Sequence, residues 1–228
     1  MEPILLQATE QGRGAPLILL HGNGESGAYF AEQIRYFSKS YRVLAVDTRG
    51  YGRSPRGTAP FTLTQFAEDL KFFMDYNGIA RAILLGFSDG GNIALLFALK
   101  YPQYVEKLVL NGANLMPAGM KPHIHAMIAL SYAGLTVAAL CSKKAVYLKA
   151  RYALMALEPK IPLTALRALV GIPALVLVGS RDMIRRRHSQ SMAAALPQGR
   201  LCVLEGDHFI AAKNSEVYNE AVEAFFGE

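Results

Sequence analysis

Six short runs rich in leucine, isoleucine and valine recur along the chain: Leu17 to Leu20, Val43 to Val46, Ala82 to Leu85, Lys107 to Leu110, Ala174 to Val178 and Leu201 to Leu204. Runs of this kind, separated by longer amphipathic stretches, specify strands buried on both faces of a mostly parallel sheet, because the crossover helices cover it from either side. The clearest intervening helix runs from Thr64 through Tyr76, where Phe66, Leu70, Phe73 and Met74 recur at helical spacing and Gly78 supplies the stop. Another begins near Gly90 and ends at Pro102. Its Ile93, Leu95, Leu96, Phe97 and Leu99 leave it apolar round most of its circumference, as a central buried helix requires. At 228 residues the chain is the size of one α/β domain, residues 1–228, with a doubly wound sheet. The alternation breaks after Leu110, and residues 116–169 read as helix throughout, which marks a small helical lid inserted within the domain.

Strand, sharp turn and helix meet at Gly86-Phe87-Ser88-Asp89-Gly90-Gly91, a G-x-S-x-G sequence in the strand-to-helix context that gives this motif its meaning. A nucleophile held at so tight a turn needs residues without side chains two before and two after it, so that strand and helix can approach. The helix that follows aims its first amides at negative charge developing beside Ser88. Serine is a weak nucleophile and requires a base with an orienting acid. Asp182 follows the run Ala174 to Val178, and His208 follows Leu201 to Leu204. The chain order serine, acid, histidine is the one used by folds with a G-x-S-x-G elbow. His21-Gly22-Asn23-Gly24 follows Leu17 to Leu20, where a second oxyanion donor belongs, so the backbone amides of Asn23 and Asp89 are the expected oxyanion hole. His188 lies in a basic stretch, and His123 with His125 lacks a third ligand at metal spacing, so no metal is expected. Asp207 adjoins His208, and neighbours in sequence rarely present side chains to each other in this geometry, which favours Asp182 as the acid.

Over nearly its whole length the chain resembles the α/β-hydrolase superfamily. Asp47-Thr48-Arg49-Gly50-Tyr51-Gly52-Arg53-Ser54 is similar to the D-x-R-G-x-G-x-S segment of many single-domain members and is expected to be scaffold, and the Gly-x-Ser-Asp-Gly-Gly run resembles the biphenyl-hydrolase-like branch. The resemblance implies a lid after the sixth family strand, one strand before Leu17 instead of the usual two, and a cofactor-free serine hydrolase forming an acyl-enzyme. Dehalogenases and epoxide hydrolases of the fold use aspartate where this chain has Ser88. Esters of small or medium apolar acyl groups are the leading substrates. Aminoacyl esters, thioesters, amides and carbon-carbon bonds are alternatives, and a non-catalytic binding protein is the outlying one. The branch resemblance draws attention to Asp89, whose carboxylate either faces the pocket and pairs with a substrate ammonium or caps the helix.

The apolar run Ile124 to Cys141 is the one candidate for a membrane span, but it lies between Ser88 and His208, and a single crossing would separate them. It reads as lid, with Met127 and Leu130 among the residues expected to line an acyl pocket together with part of Ile124, Ile128, Leu135, Val137 and Leu140. Net charge is +6 with no nucleic-acid recognition motif beside it, and Arg185 to Arg187 reads as a solvated helix face. Two cysteines, Cys141 and Cys202, make no disulfide framework and are expected as buried thiols. The first residues show no basic leader, which makes a cytoplasmic enzyme with a small-molecule partner the expectation. Oligomeric state is left open.

Overall fold

A computed structural model describes residues 2–227. Its strands are β1 (Gln7–Gln11), β2 (Pro16–Leu20), β3 (Arg42–Asp47), β4 (Ala82–Phe87), β5 (Val105–Asn111), β6 (Ala174–Gly179) and β7 (Gly199–Leu204). They form one sheet in the order β1-β3-β2-β4-β5-β6-β7, in which only β1 runs antiparallel to its neighbour. The helices are α1 (Ala31–Phe37), α2 (Leu63–Tyr76), α3 (Asp89–Lys100), α4 (Pro122–Ala138), α5 (Lys143–Leu157), α6 (Arg186–Ala195), α7 (Ile210–Lys213) and α8 (Ser215–Phe226). All six expected strands are present, and β1 is the single strand before Leu17.

Alternating strand residues divide the core into two layers. Ile18, Leu20, Leu84, Leu110 and Val176 pack under α2, α3 and α6, while Leu17, Leu19, Leu85, Val109 and Leu177 pack under α1 and α8. The side chain of Thr62 caps α2 by accepting from Gln65 N at 3.1 Å. Arg49 and Asp69 form a fully buried bidentate pair at 2.7 and 2.6 Å, joining the loop after β3 to α2. That pairing gives the Asp47 to Ser54 segment the scaffold role expected of it.

Between β5 and β6, helices α4 and α5 pack against each other as a hairpin closed by residues 139–142. Its root is fixed to the body. Leu115 N donates to His188 Nε2 at 2.9 Å, Arg185 N donates to Gly119 O at 2.9 Å, and Met120 bridges to Ile184. Only Ile128 of α4 is buried, against Met120 and Ile184. The thiols depart from expectation: Cys141 is exposed because it lies in the hairpin turn, and Cys202 is half-buried because β7 is an edge strand with one open side. Arg185, Arg186 and Arg187 are exposed at the start of α6. Among the described residues no helix is long and apolar enough to cross a membrane.

Candidate active site

Ser88 sits at the junction of β4 and α3 with φ 53° and ψ −119°, the only non-glycine residue of positive φ among the described residues. Such a backbone persists only where its surroundings hold it. Ser88 N donates to Asn111 O at 2.8 Å, and Ser88 O accepts from Asn92 N at 3.1 Å. The flanking glycines allow the turn to close. A Cβ on Gly86 would stand 2.3 Å from Gly90 O, and one on Gly90 would stand 1.9 Å from Leu20 O.

The loops after β6 and β7 bring the other two expected residues to this point. His208 Nε2 lies 3.0 Å from Ser88 Oγ, and His208 Nδ1 lies 2.8 Å from Asp182 Oδ1. Both His208 and Asp182 are buried. An ionised carboxylate only accepts, so Nδ1 carries the proton and Nε2 is left to receive the one on Ser88. Asp182 Oδ1 also accepts from Ile184 N at 2.9 Å, which fixes the acid. Asp207 turns away and serves its own loop, accepting from Phe209 N and pairing with Lys213. Beside the histidine, Phe87 lies tilted at 4.9 Å and stacks on Tyr29 at 4.5 Å.

The loop after β2 is set by His21. Burial pushes this histidine below its usual pKa, and the neutral ring accepts from Thr48 N at Nε2 (3.0 Å) while Nδ1 donates to Gly22 O (2.8 Å). Gly22 brings the loop so close that a Cβ there would be 3.2 Å from that of Ser88. Neither Asn23 N nor Asp89 N donates a hydrogen bond among the described residues.

Asp89 does not cap α3, which has no side-chain cap. Its buried carboxylate accepts instead from Asn23 Nδ2 at 2.9 Å, and the same amide group reaches Arg151 O on α5 at 2.9 Å. Burial pushes Asp89 up to about 6, against the opposing effect of the Asn23 bond. Tyr51 OH donates to Asn23 Oδ1 at 3.3 Å, and the Arg151 guanidinium lies 5.3 Å from the Tyr51 ring. Tyr51 fills an unspecified position of the Asp47 to Ser54 segment and Arg151 lies in no motif, so neither was marked in the sequence. Gly112 is a third residue that sequence reasoning passed over. It has φ +61°, and a Cβ there would stand 2.7 Å from His208 Cε1, so its absence makes room for the imidazole. The one available signal was a glycine just past a strand end.

Two of the residues expected to line an acyl pocket are exposed. Met127 and Leu130 are 56% and 74% exposed, because they fall on the side of α4 opposite Ile128, the residue that meets the body. Ile124 stands with Lys121 and His123 in the wall of a cavity of about 190 Å³ that reaches Met183, Asp207, His208 and Phe209. No cluster of three or more His, Cys, Asp or Glu side chains that would hold a metal occurs among the described residues.

The sequence profile of the α/β hydrolase fold matches residues 15–135. Over 101 residues, 43% of this chain and 28% of the relative, the chain is 40% identical to epoxide hydrolase 4 of Mus musculus. Over 114 residues, 47% of this chain and 38% of the relative, it is 39% identical to serine hydrolase BPHL of Homo sapiens. The chain therefore spans well under half the length of these relatives. In three dimensions it is similar to the enol-lactonase of Burkholderia xenovorans LB400, with a TM-score of 0.81, coverage of 98% of this chain and 96% of the other, and 23% identity. That likeness is one of fold.

Proposed function

The chain belongs to the α/β-hydrolase family, and from that premise we propose that it is a serine hydrolase working through a Ser88-His208-Asp182 triad on carboxylic esters of small or medium apolar acyl groups. Ser88 Oγ attacks the acyl carbon as His208 Nε2 takes its proton, and the amides of Asn23 and Asp89 meet the oxyanion. His208 returns that proton to the leaving alcohol. Water then repeats the sequence on the acyl-enzyme and frees the acid and Ser88. The observation that carries this reading is the unbroken hydrogen-bonded chain from Ser88 Oγ through His208 to Asp182, at 3.0 and 2.8 Å. Asp182 holds the imidazole in the tautomer the attack needs. The α4–α5 hairpin acts as the lid, with Ile124 beside the acyl chain.

A second reading, hydrolysis of aminoacyl esters, is favoured by one observation: the Asp89 carboxylate is not committed to capping the helix and lies one residue from the nucleophile. In this reading a substrate ammonium is its charged partner. The similarity to epoxide hydrolase 4 does not extend to a proposal of epoxide opening, since the elbow carries Ser88 and not a carboxylate nucleophile.

The test is turnover of p-nitrophenyl butyrate and labelling by a fluorophosphonate in wild type and Ser88→Ala. Wild type turns over and is labelled at Ser88, while the variant keeps its melting temperature and loses both. Undiminished turnover in Ser88→Ala refutes the triad, and a wild type that neither turns over nor labels is a binding protein built on this fold.

A further inference from the structure

The helical insertion carries the net charge of the whole molecule. Residues 116–169 hold seven lysines and arginines against one carboxylate, Glu158, a net of +6, which equals the formal charge of the entire chain; the remainder is balanced. The same insertion exposes apolar surface. On α4, Met127, Leu130 and Val137 share one outer stripe with Gly134, at helical spacing that points away from the body. The stripe leads to the turn of the hairpin, where Val137 is 69% and Leu140 83% exposed, with exposed Val146 following on the first turn of α5.

Lys143 and Lys144 stand at the start of α5 beside these residues, exposed and without a carboxylate partner among the described residues. Cations at a helix N-terminus oppose the helix dipole, so they do not serve the stability of α5. Exposed apolar side chains at the tip do not serve it either. Both features become favourable against a surface that is apolar beneath a layer of negative charge.

We propose that the α4–α5 hairpin docks its tip on an anionic phospholipid bilayer, with Val137, Leu140 and Val146 entering the headgroup boundary and Lys143 and Lys144 meeting the lipid phosphates. The hairpin lies on the membrane and does not cross it. A second copy of the chain is the poorer occupant, because a two-fold contact would set two insertions of net +6 face to face. This inference is independent of which bond the active site cleaves.

The experiment is cosedimentation of the full chain with vesicles of phosphatidylcholine alone and of phosphatidylcholine with about 30% phosphatidylserine. The protein binds the anionic vesicles and not the neutral ones, and binding falls steeply as salt rises from about 0.1 to about 0.5 M. Lys143→Ala/Lys144→Ala lowers the partition coefficient about 25-fold, roughly fivefold for each lysine near an anionic surface. Leu140→Asp removes binding while circular dichroism and the melting temperature stay at wild-type values, and the Ser88→Ala protein binds as wild type does. No binding, equal binding to both vesicles, or a lysine pair variant that binds like wild type overturns the proposal. A lipid-free dimer in sedimentation velocity that Leu140→Asp dissociates assigns the tip to a second copy and also overturns it.

Discussion

Replacing Asp89 by asparagine is expected to stabilise the protein at neutral pH and to leave it nearly unchanged in acid. The carboxylate is buried beside the nucleophile with one side-chain donor, Asn23, and burial raises it from the ordinary 3.8 to about 6. Because the folded state holds this proton more tightly than the unfolded chain, the contribution of Asp89 to stability is greatest below about pH 4 and is lost as pH rises through about 6. A rise from 3.8 to about 6 corresponds, at ~1.4 kcal/mol per tenfold in proton affinity, to about 3 kcal/mol. Asparagine has the same shape, and its Oδ1 accepts from Asn23 Nδ2 in the same way, but it bears no charge to desolvate. Urea denaturation of wild type and Asp89→Asn at about pH 4.5 and about pH 7.5 gives the comparison, and the difference between the two proteins cancels every other titrating group. About 1 kcal/mol of this is already lost at pH 4.5, which lies above the unfolded pKa, so the variant should gain about 2 kcal/mol on wild type between the two conditions. A stability difference that is the same at both pH values, or a variant weaker than wild type at pH 7.5, would refute the claim that a buried charge is maintained here. A perturbed carboxylate next to Ser88 is a candidate for substrate recognition.

If that recognition is of an ammonium group, Asp89→Asn should lower kcat/KM for a phenylalanyl ester about tenfold or more relative to the deaminated analogue; an equal effect on both assigns the carboxylate to the scaffold. His208→Ala should abolish ester hydrolysis about as completely as Ser88→Ala, whereas Asp182→Asn should retain more activity, because the acid orients and does not itself transfer the proton. Equal losses in steady-state kcat for all three would remove that distinction. With Ile124 bordering the cavity beside His208, kcat/KM for p-nitrophenyl esters should climb from acetate by nearly fourfold for each added carbon until the pocket is filled, at about 0.8 kcal/mol per methylene. A flat profile from acetate to octanoate places the acyl chain outside an apolar pocket.

The sequence by itself determined the sheet and the order of the candidate site residues along it. Strands buried on both faces, such as Ala82–Phe87 and Ala174–Gly179, must be apolar at every position, so their runs stand out against amphipathic helices. Ser88, Asp182 and His208 follow strand ends in the order that a G-x-S-x-G elbow accompanies, and the structure brings those three side chains within hydrogen-bonding distance. Strand β1 was not legible from its residue pattern: Gln7–Gln11 lies at the sheet edge with polar, mostly exposed side chains, and its pairing with β3 rests on the backbone ladder and the Glu10–Arg42 ion pair, not on buried apolar residues. What tertiary structure decided rests on contacts between residues far apart in the chain. The phase of α4 against the body places Ile124 in the wall of the cavity that reaches His208 and sends Met127 and Leu130 into solvent, although all three are equally apolar as letters. Asp89 reads as a helix cap until Asn23, 66 positions earlier, takes its carboxylate. Gly112 reads as a turn until the His208 ring is found where its side chain would be. Hydrophobic period reports which residues leave water; it carries no information about which distant surface each one meets, and that pairing is settled only when the helices close over the sheet.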